Sequence, residues 1–121
     1  MKKKITFLIV FLFAVSFVLI FRPVPIVKEE KALVVAGIIE KMKITEGNDF
    51  VFKLKDNPVR YYINRGVEAG LDYPTFEKEL LYQQAVFQYP KYWTPLDWNN
   101  AIRHISKVEH QGKVYFNELK P

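Results

Sequence analysis

The first apolar stretch of the chain is continuous and has no polar face. It follows the basic start MKKK and runs from Ile5 to Phe21, 17 residues interrupted only by Thr6 and Ser16. As a helix it would reach about 25 Å, close to the thickness of the hydrocarbon core of a bilayer. Lysines before the segment favour a cytoplasmic N-terminus. The sequence therefore predicts cytoplasmic residues 1–4 and a transmembrane signal anchor over residues 5–21.

A cleavable signal peptide is the alternative interpretation, because small residues stand at Ala14 and Ser16. Cleavage there would leave an apolar run exposed at the new N-terminus, so the anchor is favoured. Both interpretations place the rest of the chain outside the cytoplasm. The first gives a single-pass protein of the cell membrane, and the second a secreted or periplasmic one.

Residues 22–31 predict a linker, since two prolines and a charge cluster appear there without periodicity. Residues 32–121 form the predicted extracytoplasmic domain, and alternation begins in them. The first predicted strand is long, and Gly37 marks a place where it bends or bulges. Its alternation puts Ile38, Met42 and Ile44 on one face.

Two shorter strands follow, separated by turn signals at residues 46–49 and 56–58. Period-two alternation divides each strand into an inner and an outer set. The outer set is Val51, Lys53, Lys55, Arg60, Tyr62 and Asn64. The inner set is Phe50, Phe52, Leu54, Val59, Tyr61 and Ile63.

The period then changes, and Phe76, Leu80 and Leu81 form the stripe of a short helix. Asp72 or Thr75 is the expected N-cap. Residues 84–90 return to a strand pattern that ends at a proline. Residues 101–110 fit a bulged strand or a helix, with the strand favoured, and Gln111 with Gly112 predicts a tight hairpin turn.

The predicted order of elements is three strands, a short helix and two or three further strands. This is also the order of the OB-fold. We therefore predict a mainly β, small α+β domain: a partly open, OB-like antiparallel barrel of five or six strands, with the helix between strands 3 and 4. An SH3-like or other small open barrel is the alternative. The resemblance is one of topology, and the fold hosts unrelated functions.

Composition excludes several kinds of chemistry. There are no cysteines, so disulfides, thiol nucleophiles and thiolate metal sites are absent. The net charge of +5 depends largely on the N-terminus: without Lys2, Lys3 and Lys4, 15 basic residues face 13 acidic ones. The charge of the domain is thus nearly balanced, which argues against a nucleic-acid partner.

No catalytic, cofactor or metal motif is present. His104 and His110 are the only histidines, and six positions of a strand would separate them by about 20 Å. Asp97 is expected to bind its own backbone in a turn. The sequence thus predicts no enzyme activity, no cofactor and no metal site. An exported enzyme using scattered residues such as Arg60, Asp97 and His104 stays an alternative.

A binding surface is the favoured interpretation. OB-like domains use the outer face of strands 2 and 3 and the neighbouring loops. Aromatic faces beside cations and an amide suit sugars, bases or peptide aromatics. The candidate ligand-binding residues are Lys53, Arg60, Tyr62, Asn64, Tyr92, Trp93 and Trp98.

The aromatic loop over residues 89–100 has a competing structural interpretation. Loop tryptophans commonly fold back over an open barrel end, and Pro90 and Pro95 restrict this loop in either role. The covering role is favoured over the ligand site.

The sequence thus predicts a membrane-anchored extracytoplasmic binding or assembly module for an envelope protein or glycan. A structural subunit of a membrane complex is a further alternative. The pattern does not predict the oligomeric state.

Overall fold

The computed structural model describes residues 2–20, 25–91, 93 and 97–120. These residues form two α-helices and a seven-stranded sheet that is not closed, a mainly β, small α+β arrangement. The helices are α1 (Lys2–Ile20) and α2 (Tyr73–Leu80), and a 3-10 turn spans Glu29–Lys31. The strands are β1 (Leu33–Ile44), β2 (Phe50–Leu54), β3 (Arg60–Ile63), β4 (Gln84–Tyr89), β5 (Ile102–His104), β6 (Lys107–His110) and β7 (Lys113–Asn117).

Helix α1 contains neither glycine nor proline, so its backbone hydrogen bonds run unbroken. Large apolar side chains are exposed along it from Ile5 to Val18. Within the described residues, no helix combines the length and the apolar character that crossing a membrane requires. The transmembrane helix predicted over residues 5–21 therefore finds no support in the structure.

The predicted linker, residues 22–31, lies partly outside the described residues. Its described part includes the 3-10 turn and is held to the C-terminal end of the chain. The amide of Lys120 donates to the carbonyl of Val27 at 3.0 Å, and Lys28 forms an isolated parallel bridge with Lys120.

Strand β1 is the central strand of the sheet, whose order is β5-β3-β2-β1-β4-β6-β7. Its first half, from Leu33 to Ile38, pairs with β4, and its second half, from Ile39 to Ile44, pairs with β2. The partner therefore changes in the middle of the strand. The long first strand that the sequence predicted is thus shared between two partners, one on each side of it.

The sequence placed Ile38, Met42 and Ile44 on one face of β1, but in the structure only Met42 packs against the core, and Ile38 and Ile44 are exposed. The register shifts between Ile39 and Lys41, not at Gly37, which pairs regularly with Ala85. Ile39 is fully buried, whereas Ile38 is 40% exposed. The prediction that Ile38 shares a face with Met42 was wrong, because the register shift between the two residues moves the alternation by one position.

Strands β2 and β3 keep the predicted alternation. The inward residues Phe50, Phe52 and Ile63 are fully buried, and Tyr61 is nearly so. The turn between β1 and β2 is held by Thr45, whose hydroxyl accepts a hydrogen bond from the Asp49 amide at 3.0 Å. Short loops without a bulge explain why sequence predicted these two strands well.

Helix α2 lies between β3 and β4, as predicted. The Asp72 carboxylate caps it by accepting a hydrogen bond from the Thr75 amide at 3.2 Å. Phe76 and Leu80 are buried in the core, and the rings of Tyr73 and Phe76 meet the Phe50 ring edge-on at 5.2 and 5.4 Å. The helix therefore covers the inner face of the sheet.

Residues 101–110 are extended, which confirms the strand over the helix, but they form two strands. The Ile105 amide donates to the carbonyl of Tyr62 in β3, and the Ser106 amide donates to that of Gln88 in β4. The chain thus leaves β3 and joins β4 within two residues. The β6–β7 turn lies at Gln111 and Gly112, both at positive φ, as predicted.

The sheet is not closed, and β5 and β7 are its two edges. Two parts of the predicted fold need correction. The sheet in the described residues has seven strands, not five or six, because residues 101–110 divide into two strands. Strands β3 and β5 are parallel, not antiparallel, because the connection from β4 returns the chain in the direction of β3.

Candidate functional site

A row of three cations crosses the outer face of β1, β2 and β3. The strand register places Lys41 opposite Lys53, and Lys53 opposite Arg60. Neighbouring strands are about 4.8 Å apart, so the row spans about 10 Å. Like charges directly opposite one another destabilise a sheet. The row therefore favours any negatively charged partner placed over it.

A second row lies one alternation step away on the same face. Lys43 stands opposite Val51, Val51 opposite Tyr62, and Tyr62 opposite His104. The Tyr62 and His104 rings are nearly perpendicular, with centroids 5.4 Å apart. The His104 Nε2 atom contacts the Glu118 carboxylate, which ties this end of the face to the C-terminal segment.

The two rows border an open groove with a volume of about 490 Å³. Its lining combines four cations and one carboxylate with apolar and aromatic side chains. The lining residues are Glu40, Lys41, Met42, Lys43, Val51, Lys53, Arg60, Leu81 and Tyr82.

The single carboxylate of the groove belongs to Glu40, and it forms an ion pair with Lys53 at 2.6 Å. The hydrogen bond and the charge of Lys53 hold the pKa of Glu40 below its ordinary value, and Lys41 and Lys55 lower it further. Glu40 is therefore ionised at neutral pH. One ionised carboxylate among four cations leaves the groove clearly positive.

Tyr82 stands at the rim of the groove in a sterically costly backbone conformation. Its φ is +66°, a left-handed value that bulky residues rarely adopt. Its amide donates to the carbonyl of Ile39 at 2.8 Å, which fixes the backbone just after α2. The ring is 71% exposed. The fold therefore presents a flat aromatic surface from a fixed position beside the cations.

The two tryptophans of the β4–β5 connection contact each other. Their rings meet edge-on at 5.4 Å, and the Trp93 Nε1 atom donates to the carbonyl of Trp98 at 3.2 Å. Trp98 is 76% exposed and Trp93 is 38% exposed. Neither indole is buried as the favoured covering role would require, so both present surface to a ligand.

The exit of this connection is fixed beside the candidate face. The Asp97 carboxylate accepts hydrogen bonds from the amides of Ala101 and Ile102 at 2.9 and 3.0 Å, the backbone role expected for it. The Arg60 amide in turn donates to the carbonyl of Ala101 at 2.8 Å. The aromatic connection therefore joins the sheet next to Arg60.

The structure brings only some of the predicted site residues together. Lys53 and Arg60 line the groove, and Tyr62 lies on the same face in the next row. Asn64 is exposed just beyond the end of β3. The tryptophans form their own pair, and Tyr92 lies outside the described residues.

Sequence reasoning predicted two of the nine lining residues as site residues and missed seven, among them Lys41, Lys43 and Tyr82. The alternation in KMK does place both lysines outward, but only the register shows that Lys41 faces Lys53. Tyr82 carried no signal, because its position depends on how the chain leaves α2.

Within the described part of the chain, no group of three histidine or acidic side chains is arranged to hold a metal ion. No protein-family model, no curated protein and no solved structure matches this chain. The geometry of the groove is therefore the basis for assigning a function.

Proposed function

We propose that this protein is a small, membrane-anchored binding or assembly module whose β domain lies outside the cytoplasm. In this proposal the outer face of β1, β2 and β3 recognises an envelope protein or glycan. The main support for this proposal is the groove of about 490 Å³, where Lys53 and Arg60 lie on paired strands beside the exposed ring of Tyr82. Sites built on strands hold their side chains more precisely than sites on loops.

An OB-like arrangement of the domain is part of this proposal. Three pairings support it: β1 is shared between β2 and β4, β3 lies parallel to β5, and residues 105 and 106 pass from β3 to β4. Since one short segment bonds to both β3 and β4, those two strands approach each other and the sheet must curl. An SH3-like barrel does not account for this shared segment as directly.

Membrane association is supported by the surface of α1. Its side chains from Ile5 to Val18 are all exposed and, apart from those of Thr6 and Ser16, apolar, which gives an unfavourable contact with water. The basic residues Lys2, Lys3 and Lys4 precede them and favour a cytoplasmic start. Tethering would raise the concentration of the domain near partners in the envelope.

A cysteine-accessibility experiment tests this location, because the chain contains no native cysteine. Lys3→Cys and Glu46→Cys would be made singly and treated in intact cells with a membrane-impermeant maleimide. We expect Glu46→Cys, in the exposed β1–β2 turn, to be labelled and Lys3→Cys to be protected until the membrane is permeabilised. Protection of both variants would contradict an extracytoplasmic domain.

Tryptophan fluorescence tests the binding role, since Trp93 and Trp98 are both exposed. The full chain in detergent would be titrated with neutral glycans, acidic glycans, envelope-derived peptides and a short oligonucleotide. We expect saturable spectral change with a glycan or a peptide, weakened by Arg60→Gln and unaffected by Lys78→Gln on the exposed face of α2. No response to any of these probes, measured also by calorimetry, would remove the proposal.

A further inference from the structure

We propose that the groove between β1, β2, β3 and Tyr82 takes an acidic glycan, a saccharide chain carrying at least two carboxylate or phosphate groups. This inference rests on the proposed binding function and names its ligand class. It also adds Lys41, Lys43 and Tyr82 to the site, none of which the sequence pattern singled out.

The spacing of the cations favours a ligand with more than one acidic group. Lys41 lies directly opposite Lys53, and Lys53 lies directly opposite Arg60. Lys43 lies two positions along β1 from Lys41. Residues two positions apart on a strand are about 7 Å apart. The cations are therefore distributed over an area that suits two acidic groups on one chain better than a single small anion.

Glu40 favours a ligand that also has hydroxyl groups. It neutralises only part of the charge in the groove, and its lowered pKa keeps it ionised as a hydrogen-bond acceptor. A saccharide supplies hydroxyl donors for such an acceptor, whereas a bare polyphosphate supplies none and is repelled. The presence of a carboxylate among the cations thus favours a ligand that carries both acids and hydroxyls.

Tyr82 favours a ligand that contains a sugar ring. A non-glycine residue at positive φ costs about 1 kcal/mol or more, and such strain concentrates at ligand sites. Here the conformation projects a largely exposed aromatic ring at the rim of the groove. Flat aromatic faces pack against the apolar faces of sugar rings. One such platform fits one sugar, while single-stranded nucleic acids are bound on a succession of aromatics.

The test compares three hexamers of different chemistry and one short polyphosphate. The full chain in detergent would be titrated by calorimetry with hexagalacturonate, with neutral maltohexaose, with tripolyphosphate and with a hexamer of deoxythymidine. We expect hexagalacturonate to bind at least about tenfold more tightly than the other three. We also expect its affinity to fall as salt is raised, because surface charges are screened.

Variants then assign the binding to the groove. The double variant Lys41→Gln with Lys43→Gln should weaken hexagalacturonate binding about tenfold, and Lys41→Arg with Lys43→Arg should restore most of it. Tyr82→Ala should weaken it about fivefold and Tyr82→Phe should leave it unchanged. Lys78→Gln on α2 is the matched control for charge and should have no effect. Circular dichroism would show that each variant keeps its fold.

Distinct outcomes overturn this inference and the proposed function. If maltohexaose or a peptide binds and Arg60→Gln weakens that binding while the two lysine changes do not, the acidic-glycan inference fails and the binding role of the face stands. Tight binding of tripolyphosphate or the deoxythymidine hexamer that is indifferent to Tyr82→Ala also overturns the inference. If none of the probes of either experiment binds, both proposals fail.

Discussion

The inner and outer faces of strands β1, β2 and β3 are made from alternate residues of the same strands, yet they differ in burial and in charge. Inside, Phe50, Phe52 and Ile63 are fully buried among aromatic neighbours. Outside, Lys41 and Lys53 face each other across β1 and β2 with one carboxylate between four cations. The inner face buries apolar area, which stabilises the fold, whereas the outer face concentrates like charges, which opposes folding.

This difference separates residues that specify the fold from residues that are candidates for function. Binding sites commonly retain groups that do not favour stability, because the ligand supplies the missing interactions. If that holds here, truncating the inner face costs much stability, and neutralising the outer face costs none.

Phe52→Ala should give the largest effect, a loss of about 3–5 kcal/mol in the free energy of unfolding. The side chain is fully buried, and its ring lies 5.3 Å from that of Phe87. Thermal or denaturant unfolding of the full chain in detergent, followed by near-ultraviolet circular dichroism, measures it. The adjacent outward residue provides the control, because Val51→Ala should cost less than about 1.5 kcal/mol. Equal losses for the two variants would break the contrast between the faces.

Gly66→Ala should destabilise the protein by about 1–3 kcal/mol through overpacking. An added Cβ would lie 2.8 Å from Cδ1 and 2.9 Å from Cε1 of Phe50. That ring is held by Tyr73 and Phe76, so it has little room to move. Gly47→Ala is the matched control, since its nearest non-neighbouring atom is the Thr45 hydroxyl at 3.9 Å. A change in unfolding midpoint no larger than that of Gly47→Ala would show that the inner face is loosely packed.

The inner face was largely predictable from sequence, and the reason is local. Strands β2 and β3 are joined by short turns without a bulge, so alternation alone identifies Phe52, Leu54 and Tyr61 as inward. The cap of α2 at Asp72 is equally local, because an N-cap lies within three residues of the amide it binds. Such features depend on neighbours in the chain.

The outer face was predictable only in part, because its arrangement is not local. Lys53 and Arg60 were identified from alternation, but their alignment with Lys41 depends on the register shift after Ile39. No residue near that shift marks it, since Gly37, the expected place, pairs regularly. The parallel pairing of β5 with β3 likewise depends on a contact between segments about 40 residues apart along the chain.

Tyr73 packs on the inner face, against the ring of Phe50, and makes stability depend on alkaline pH. Burial, then its hydrogen bond and charge interaction with Glu77, raises the pKa of Tyr73 from 10.0 to about 12. The raised value means that its contribution to stability is full below pH 10 and is lost as the pH rises through 12. Tyr73→Phe should remove that loss, by about 1 kcal/mol after allowance for solvent screening. Unfolding of both proteins at pH 9 and pH 12 measures it, and identical pH dependence would contradict the prediction.

Lys41→Gln should give the smallest effect and the opposite sign, a gain of about 0.2–1 kcal/mol in the free energy of unfolding. The substitution removes the repulsion between Lys41 and Lys53 across the strand pair, while Glu40 keeps its ion pair with Lys53 and loses only its weaker attraction to Lys41. Because the charges are exposed, about 0.5 M salt should erase the gain by screening. Lys78→Gln removes the same charge from the last turn of α2, where a cation is favourable, and should not stabilise. A loss of more than about 1 kcal/mol on Lys41→Gln would show that this lysine stabilises the fold. The like charges of the outer face would then not oppose folding, and the argument that they are retained for binding would fail.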